Sequence, residues 1–183
     1  MTQVLYQSTY GATRRYAKVL AQRLNTTAET LEDFGRLAHA EEGEFAEPLV
    51  VLSPVFGPSI AAASYVAHHD LGGRPVACAA VGMALLQEAR RKDQMAGILG
   101  DKADRVRRFY LPGALYYSRI SVAHRQILRG IVGALRLKPS KTDNEKTMIQ
   151  TYNKDLDQVD LTELDPIVEW AQFETHHSLP NAH

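Results

Sequence analysis

Cysteine is almost missing from this chain, net charge is missing altogether, and long apolar runs are absent. The single cysteine, Cys78, rules out a disulfide framework. It lies in the apolar run Val76–Val81 with no basic neighbour in sequence, which reads as a small core residue and not a reactive thiol. Lysine plus arginine and aspartate plus glutamate both number 21, so the formal net charge is zero. A neutral chain has no global attraction for nucleic acid and no acidic shell. No uninterrupted apolar stretch approaches the ~20 residues that a spanning helix needs. The first residues lack the charged-then-apolar pattern of a secretion signal, which leads us to expect a cytoplasmic protein. No carboxylate–histidine spacing marks a metal site. Neither a Ser/His/Asp arrangement nor a pair of catalytic carboxylates stands out. The 183 residues are enough for one domain with a sizeable core.

The most telling stretch is Val4 to Thr13. A short apolar run (Val4, Leu5, Tyr6) opens into a hydroxyl-rich turn of Ser8, Thr9, Tyr10, Gly11, Ala12 and Thr13. A helical pattern follows, with Tyr16, Ala17, Val19, Leu20 and Leu24 on one face. Strand, hydroxyl loop and helix form an anion site: the first amides of a helix are unpaired and its dipole is positive there. Gly11 lets the backbone approach a ligand closely. The loop lacks the Gly-Lys-Ser/Thr of a triphosphate loop and the three glycines of a dinucleotide fingerprint. A single monophosphate suits it best; an ordinary helix start capped by Ser8 or Thr13 is the bland alternative.

The rest of the chain alternates strands and helices. Strands are expected near 3–6, 28–31, 48–52, 76–81 and 105–111. Helices are expected near 13–24, 60–69, 87–99 and 161–173, with a shorter one around Leu37 and Ala38. Near-continuous apolar strands separated by helices indicate a parallel sheet covered on both faces and doubly wound by right-handed crossovers. In such a sheet the ligand sits at the carboxyl ends of the strands, where strand order reverses. The loops there are Ser8–Thr13, Ser53–Ser59 and Gly82–Leu85. The second carries Pro54, Val55, Phe56, Gly57 and Pro58, whose aromatic ring on a stiff turn can wall a flat ligand. The third follows Val81 with Gly82 and Met83. A phospho-receiver domain needs clustered carboxylates at the first and third strand ends. Gln7, Ser8 and Ser53 stand there instead.

The pattern Ser-Thr-x-Gly-x-Thr after the first strand resembles the FMN-phosphate loop of flavodoxins. Together with Leu52–Gly57, Val76–Gly82 and Gly113–Tyr117, it makes the chain resemble the flavodoxin superfamily. Among those proteins it resembles the flavodoxin-like, menaquinone-dependent protoporphyrinogen oxidases. The resemblance spans about residues 3 to 173. It implies an α/β, doubly wound, five-stranded parallel sheet of order 2-1-3-4-5 with a helical insertion after strand five. The domain would cover 1–175, with a flexible tail over 176–183. It implies FMN as cofactor, bound by Ser8, Thr9, Tyr10, Gly11, Ala12, Thr13, Pro54, Val55, Phe56, Gly57, Pro58, Val81, Gly82 and Met83. It also implies a two-electron redox role. The third loop offers no aromatic ring, so Met83 or Tyr116 and Tyr117 are left to cover the second flavin face. The catalytic residues stay unassigned.

Residues 114 to 141 form a basic amphipathic helix by pattern. Ile120, His124, Ile127, Leu128, Ile131 and Leu135 share one face, and Arg125, Arg129 and Arg136 another, flanked by Arg119, Lys138 and Lys141. Such a helix packs its apolar stripe on the sheet or on a second copy in a homodimer, or lies on an anionic membrane surface. Two functions stay open. One is an FMN-dependent oxidoreductase acting on a small-molecule, porphyrinogen-like substrate, with electrons passed to a quinone. The other is an electron carrier with no substrate of its own. Carriers usually present an acidic docking face. Acidic residues do gather at Glu29, Glu32 and Asp33 and at Glu41, Glu42, Glu44 and Glu47. The neutral balance and the arginine-rich insertion favour the enzyme.

Overall fold

The structure is a computed structural model and describes residues 1–32 and 47–177. The short helix expected around Leu37 and Ala38 lies outside the described residues, as do Asp33, Glu41, Glu42, Glu44 and the last six residues. Strand β1 (Gln3–Tyr6) leads into helix α1 (Ala12–Arg23) and strand β2 (Ala28–Thr30). Next come β3 (Leu49–Phe56), β4 (Ser59–Ile60), α2 (Ala61–His68) and β5 (Val76–Gly82). Helices α3 (Leu86–Lys92) and α4 (Gln94–Leu99) precede β6 (Val106–Pro112). The chain closes with β7 (Ala114–Leu115), α5 (Val122–Leu137), α6 (Asp143–Gln150), β8 (Leu156–Asp157) and α7 (Asp165–His177).

The main sheet has the order β2-β1-β3-β5-β6, all parallel, with β4 turned back antiparallel on β3. With β4 set aside, this is the expected 2-1-3-4-5 order. Alternation along the strands divides the core between two faces. Val4, Val50, Leu52, Ala77, Ala79 and Leu111 pack on Tyr16, Ala17 and Leu20 of α1 and Ile167 of α7. Leu5, Leu49, Val51, Cys78, Ala80 and Tyr110 pack on Ala62, Ala63 and Val66 of α2 and Met95 and Leu99 of α4. Both faces being covered is why the central strands read as unbroken apolar runs.

Several boundaries depart from expectation. The run 53–56 is not a turn: β3 continues through it, and the reversal falls at Gly57 (φ 56°) and Pro58. Proline is tolerated inside this central strand because β1 has ended. Leu52 O still accepts from Gln7 N on the β1 side, and Pro54 faces the same way by alternation, where no ladder partner needs its missing N–H. Ile60 belongs to β4 rather than to the helix. The helix expected over 87–99 breaks at Asp93, whose φ of 41° is left-handed. Its carboxylate accepts from Arg108 Nε at 2.9 Å and from the Tyr110 hydroxyl at 2.8 Å, which stabilises the break. The last helix begins as a 3-10 turn over Leu161–Leu164 and runs on to His177.

The largest correction concerns the insertion. It is a unit of two helices, α5 and α6, closed by the β7–β8 ribbon, and it extends beyond residue 141. The inward residues of α5 are His124, Leu128, Val132 and Leu135, while Ile127 and Ile131 are 57% and 41% exposed. The apolar arc of the helix is wider than the strip it docks. A wheel therefore groups both flanks as one face, although only one side is covered. Tyr117 is buried against Tyr152 inside this unit, so it is not a candidate cover for a ligand.

Candidate functional site

The carboxyl ends of β1, β3 and β5 bring together the three loops singled out from sequence. The first loop runs from Ser8 into α1. Gly11 is the N-cap of α1 with φ 95°, a conformation side chains rarely adopt, and an added Cβ there would meet nothing within 4 Å. The requirement for glycine is therefore conformational, and the space above the backbone is open. No side chain caps α1 at Gly11. Ser8 Oγ accepts from Arg14 N at 3.2 Å and Arg15 N donates to Gly11 O. Among the described residues no acceptor meets the amides of residues 10–13. Thr9 is exposed and Thr13 is buried, and no carboxylate lies between 8 and 13. Unpaired amides plus hydroxyls, without a competing anion, are the donor set of a phosphate monoester.

The second loop is the β3–β4 hairpin. Ser53 is buried, and its hydroxyl accepts from Ala62 N at 2.9 Å, so it caps α2 and is committed to the fold. Phe56 stands at the tip with 38% of its surface exposed. Gln94 Nε2 donates to Gly57 O at 2.8 Å and steadies the turn from α4. In the third loop, a Cβ on Gly82 would lie 3.2 Å from Val55 Cγ2, and one on Gly113 would lie 3.0 Å from Gly82 O. A side chain at either position would press on its neighbour, the Val55 side chain at Gly82 and the Gly82 backbone at Gly113. Met83 is half-buried beside them. Phe56 and Met83 leave apolar surface at these strand ends, and Gly11 with the unpaired amides leaves an open cradle, an arrangement that fits a phosphate-bearing flavin.

One further side chain enters this site, and it comes from the appended unit. His124 of α5 stacks on Phe56 at 5.6 Å between centroids and 15° between planes. The same imidazole meets Tyr10 edge-on at 5.7 Å, and its Nδ1 is hydrogen-bonded to the Tyr10 hydroxyl. Tyr10 and Phe56 also meet edge to face at 6.4 Å. Sequence reasoning placed His124 on an apolar helix face and assigned it nothing. The available signal was a lone polar ring within that stripe. Leu85 N donates to Asn144 Oδ1 at 3.1 Å, so α6 touches the third loop as α5 touches the first two.

The strongly shifted groups lie elsewhere and are structural. Burial pushes the Tyr16 hydroxyl up to about 12; it donates to Pro112 O at 2.7 Å and accepts from Asp160 N at 2.9 Å. Burial likewise pushes Tyr110 and the Cys78 thiol up to about 12, which keeps Cys78 an inert core residue. A cavity of about 960 Å³ opens at the other end of the sheet, lined by Lys102 and Arg108 among others. Those cations are already bound: Lys102 Nζ to Val66 O and His69 O, Arg108 to Asp93. His68 and His69 end α2 and bond back to Ser64 O and Tyr65 O. Among the described residues no cluster of histidine, cysteine or carboxylate side chains suits a metal, and no helix is long and apolar enough to cross a membrane.

A family model described as flavodoxin domain matches residues 3–144. No curated protein and no solved structure matches the chain.

Proposed function

The chain belongs to the flavodoxin domain family, whose domains bind FMN, and from that premise we propose that it is an FMN-dependent oxidoreductase with its own organic substrate. In this reading the amides and hydroxyls of Ser8–Thr13 hold the phosphate. Pro54–Pro58 and Val81–Met83 flank the isoalloxazine. Bound FMN supplies two-electron chemistry: the substrate loses a hydride and a proton, and a quinone takes up two electrons and two protons. The protein orients the partners, and Phe56 excludes water from one side.

The observation that carries the enzyme reading is His124 packed on Phe56 and Tyr10. A second element of the chain closes over the carboxyl ends of the strands. A carrier works best with its flavin edge bare for a protein partner, whereas a substrate site gains from enclosure. A porphyrinogen-like substrate is the finer proposal. It is supported by the resemblance of Gly113–Tyr117 and the helix that follows, and by the exposed Arg125, Arg129 and Arg136 that would attract its carboxylates. The exposed strip of Ile127 and Ile131 on one flank of α5, with those arginines on the other flank, suits peripheral contact with an anionic membrane, where a quinone would be met. A second copy of the chain is the other occupant that strip fits.

Purified protein carrying this activity is yellow, with an oxidised-flavin spectrum, and oxidises porphyrinogen only when quinone is present. Flavin that cycles with a redox protein yet oxidises no organic substrate would favour the carrier reading.

A further inference from the structure

We propose that His124 is a positioning residue of the cofactor site, and that α5 is a lid retained by it; the proposal rests on the FMN placement given above. Three segments far apart in sequence converge on this one imidazole. Tyr10 comes from the phosphate loop, Phe56 from the β3–β4 hairpin, and His124 from the appended helix. The Tyr10 hydroxyl is paired with Nδ1, and with that hydroxyl as donor the ring carries its proton on Nε2. Among the described residues Nε2 has no partner. The appended unit thus presents an open hydrogen-bond position on the cofactor side of the sheet.

The contact fixes more than one side chain. His124 occupies the first turn of α5, right after the cap in which Ser121 Oγ accepts from His124 N at 3.2 Å. A helix pinned at its first turn is held over the site end, while its far end is tied to α6 through Lys138 and Glu145. In the outer half of α5 Val132 is fully buried and Leu135 half-buried, while Leu137 at the end is 87% exposed. The histidine cluster is what ties α5 to the phosphate loop and the hairpin. A ligand seated on the phosphate loop and hairpin fixes Tyr10 and Phe56 and so strengthens the dock. By reciprocity the dock slows the ligand's escape.

The test is titration of FMN-free protein with FMN, followed by quenching of flavin fluorescence, in wild type, Tyr10→Phe, His124→Phe and His124→Ala. Circular dichroism and thermal melts accompany each variant. Loss of the hydrogen bond alone, in Tyr10→Phe or His124→Phe, is expected to weaken FMN about 3- to 10-fold, and loss of bond and stack in His124→Ala about 10- to 100-fold. The double variant Tyr10→Phe/His124→Ala is expected to bind within about twofold of His124→Ala alone, because the removed groups share one interaction. Melting points are expected to change little. Unchanged or tighter FMN binding in His124→Ala overturns the lid while leaving the cofactor reading intact. Failure of the wild type to bind FMN overturns both.

Discussion

In the main sheet Val4, Leu5, Val50, Val51, Leu52 and Ala77 have no exposed surface, whereas in the 16-residue helix α5 only Val132 is fully buried. The body is held by close-packed apolar side chains on two faces. The appended unit buries few apolar side chains (Tyr117, Ile120 and Val132) and is held largely by directional contacts. Ser118 N and Oγ donate to Asp155, Lys138 pairs with Glu145 at 2.7 Å, and the Arg136 guanidinium lies over Tyr152 at 5.7 Å. Arg15 and Tyr116 meet on Asp157 and tie β8 to α1. Packing of the first kind is cooperative and costly to breach. Exposed contacts of the second kind contribute little each and open locally. A rigid body that builds the cofactor site, covered by a unit that can open, is the physical basis for reading α5 as a lid.

The contrast can be broken first in the core. Leu52→Ala is expected to cost about 2–5 kcal/mol in urea unfolding. Leu128→Ala, on the half-buried side of α5, is expected to cost less than half of that, and equal losses would remove the distinction. Next, Tyr16→Phe strips the buried contact between α1, the end of β6 and Asp160. It is expected to lose about 1–3 kcal/mol, with faster hydrogen exchange at the start of α7. Gly11→Val places a branched residue at φ 95° and is expected to cost about 1–3 kcal/mol. It should abolish FMN binding while the circular dichroism spectrum stays native, and full FMN affinity in this variant would refute the phosphate placement.

Acid sharpens the comparison. The hydrogen bonds from Ser118 hold the Asp155 carboxyl below its usual 3.8, and the one from the Tyr116 hydroxyl holds Asp157 below the same value. Folded values that are depressed mean stabilisation that is present above the unfolded value and lost as the pH falls through the folded one. As the pH falls from about 5 through 3.8 and below, the appended unit should become protease-sensitive before the sheet unfolds, and Asp155→Asn should shift its opening to higher pH. Simultaneous loss of unit and body would argue for a single cooperative block. The smallest effect is expected from Arg129→Glu, which is exposed and should change stability by less than about 0.5 kcal/mol. Reversing Arg125, Arg129 and Arg136 together is expected to cancel low-salt co-sedimentation with anionic vesicles. Wild-type protein that fails to co-sediment at low salt would end the membrane proposal.

The same contrast explains what was legible in the sequence. The strands of the body announce themselves because burial on both faces demands unbroken apolar runs. Gly11 and its hydroxyl neighbours stand out because phosphate cradles are local in sequence. The appended unit has no such signature. Its covered face is set by the partners that pack on it, so Ile127 and Leu128 look alike on a wheel but differ in burial. α6 had a usable signal that went unread: Thr142 and Glu145 form a reciprocal capping box. The break at Asp93 depends on Arg108 and Tyr110 from β6 and has no local cue. His124 joins Tyr10 across 114 residues, a pairing that no spacing rule reveals.

Hydrogen exchange with and without saturating FMN tests the central claim most directly, because it reads the body and the appended unit in one experiment. FMN is expected to protect residues 8–13, the β3–β4 hairpin and the first turns of α5 together. Protection of the phosphate loop and hairpin with α5 unchanged, or no protection at all, would contradict it.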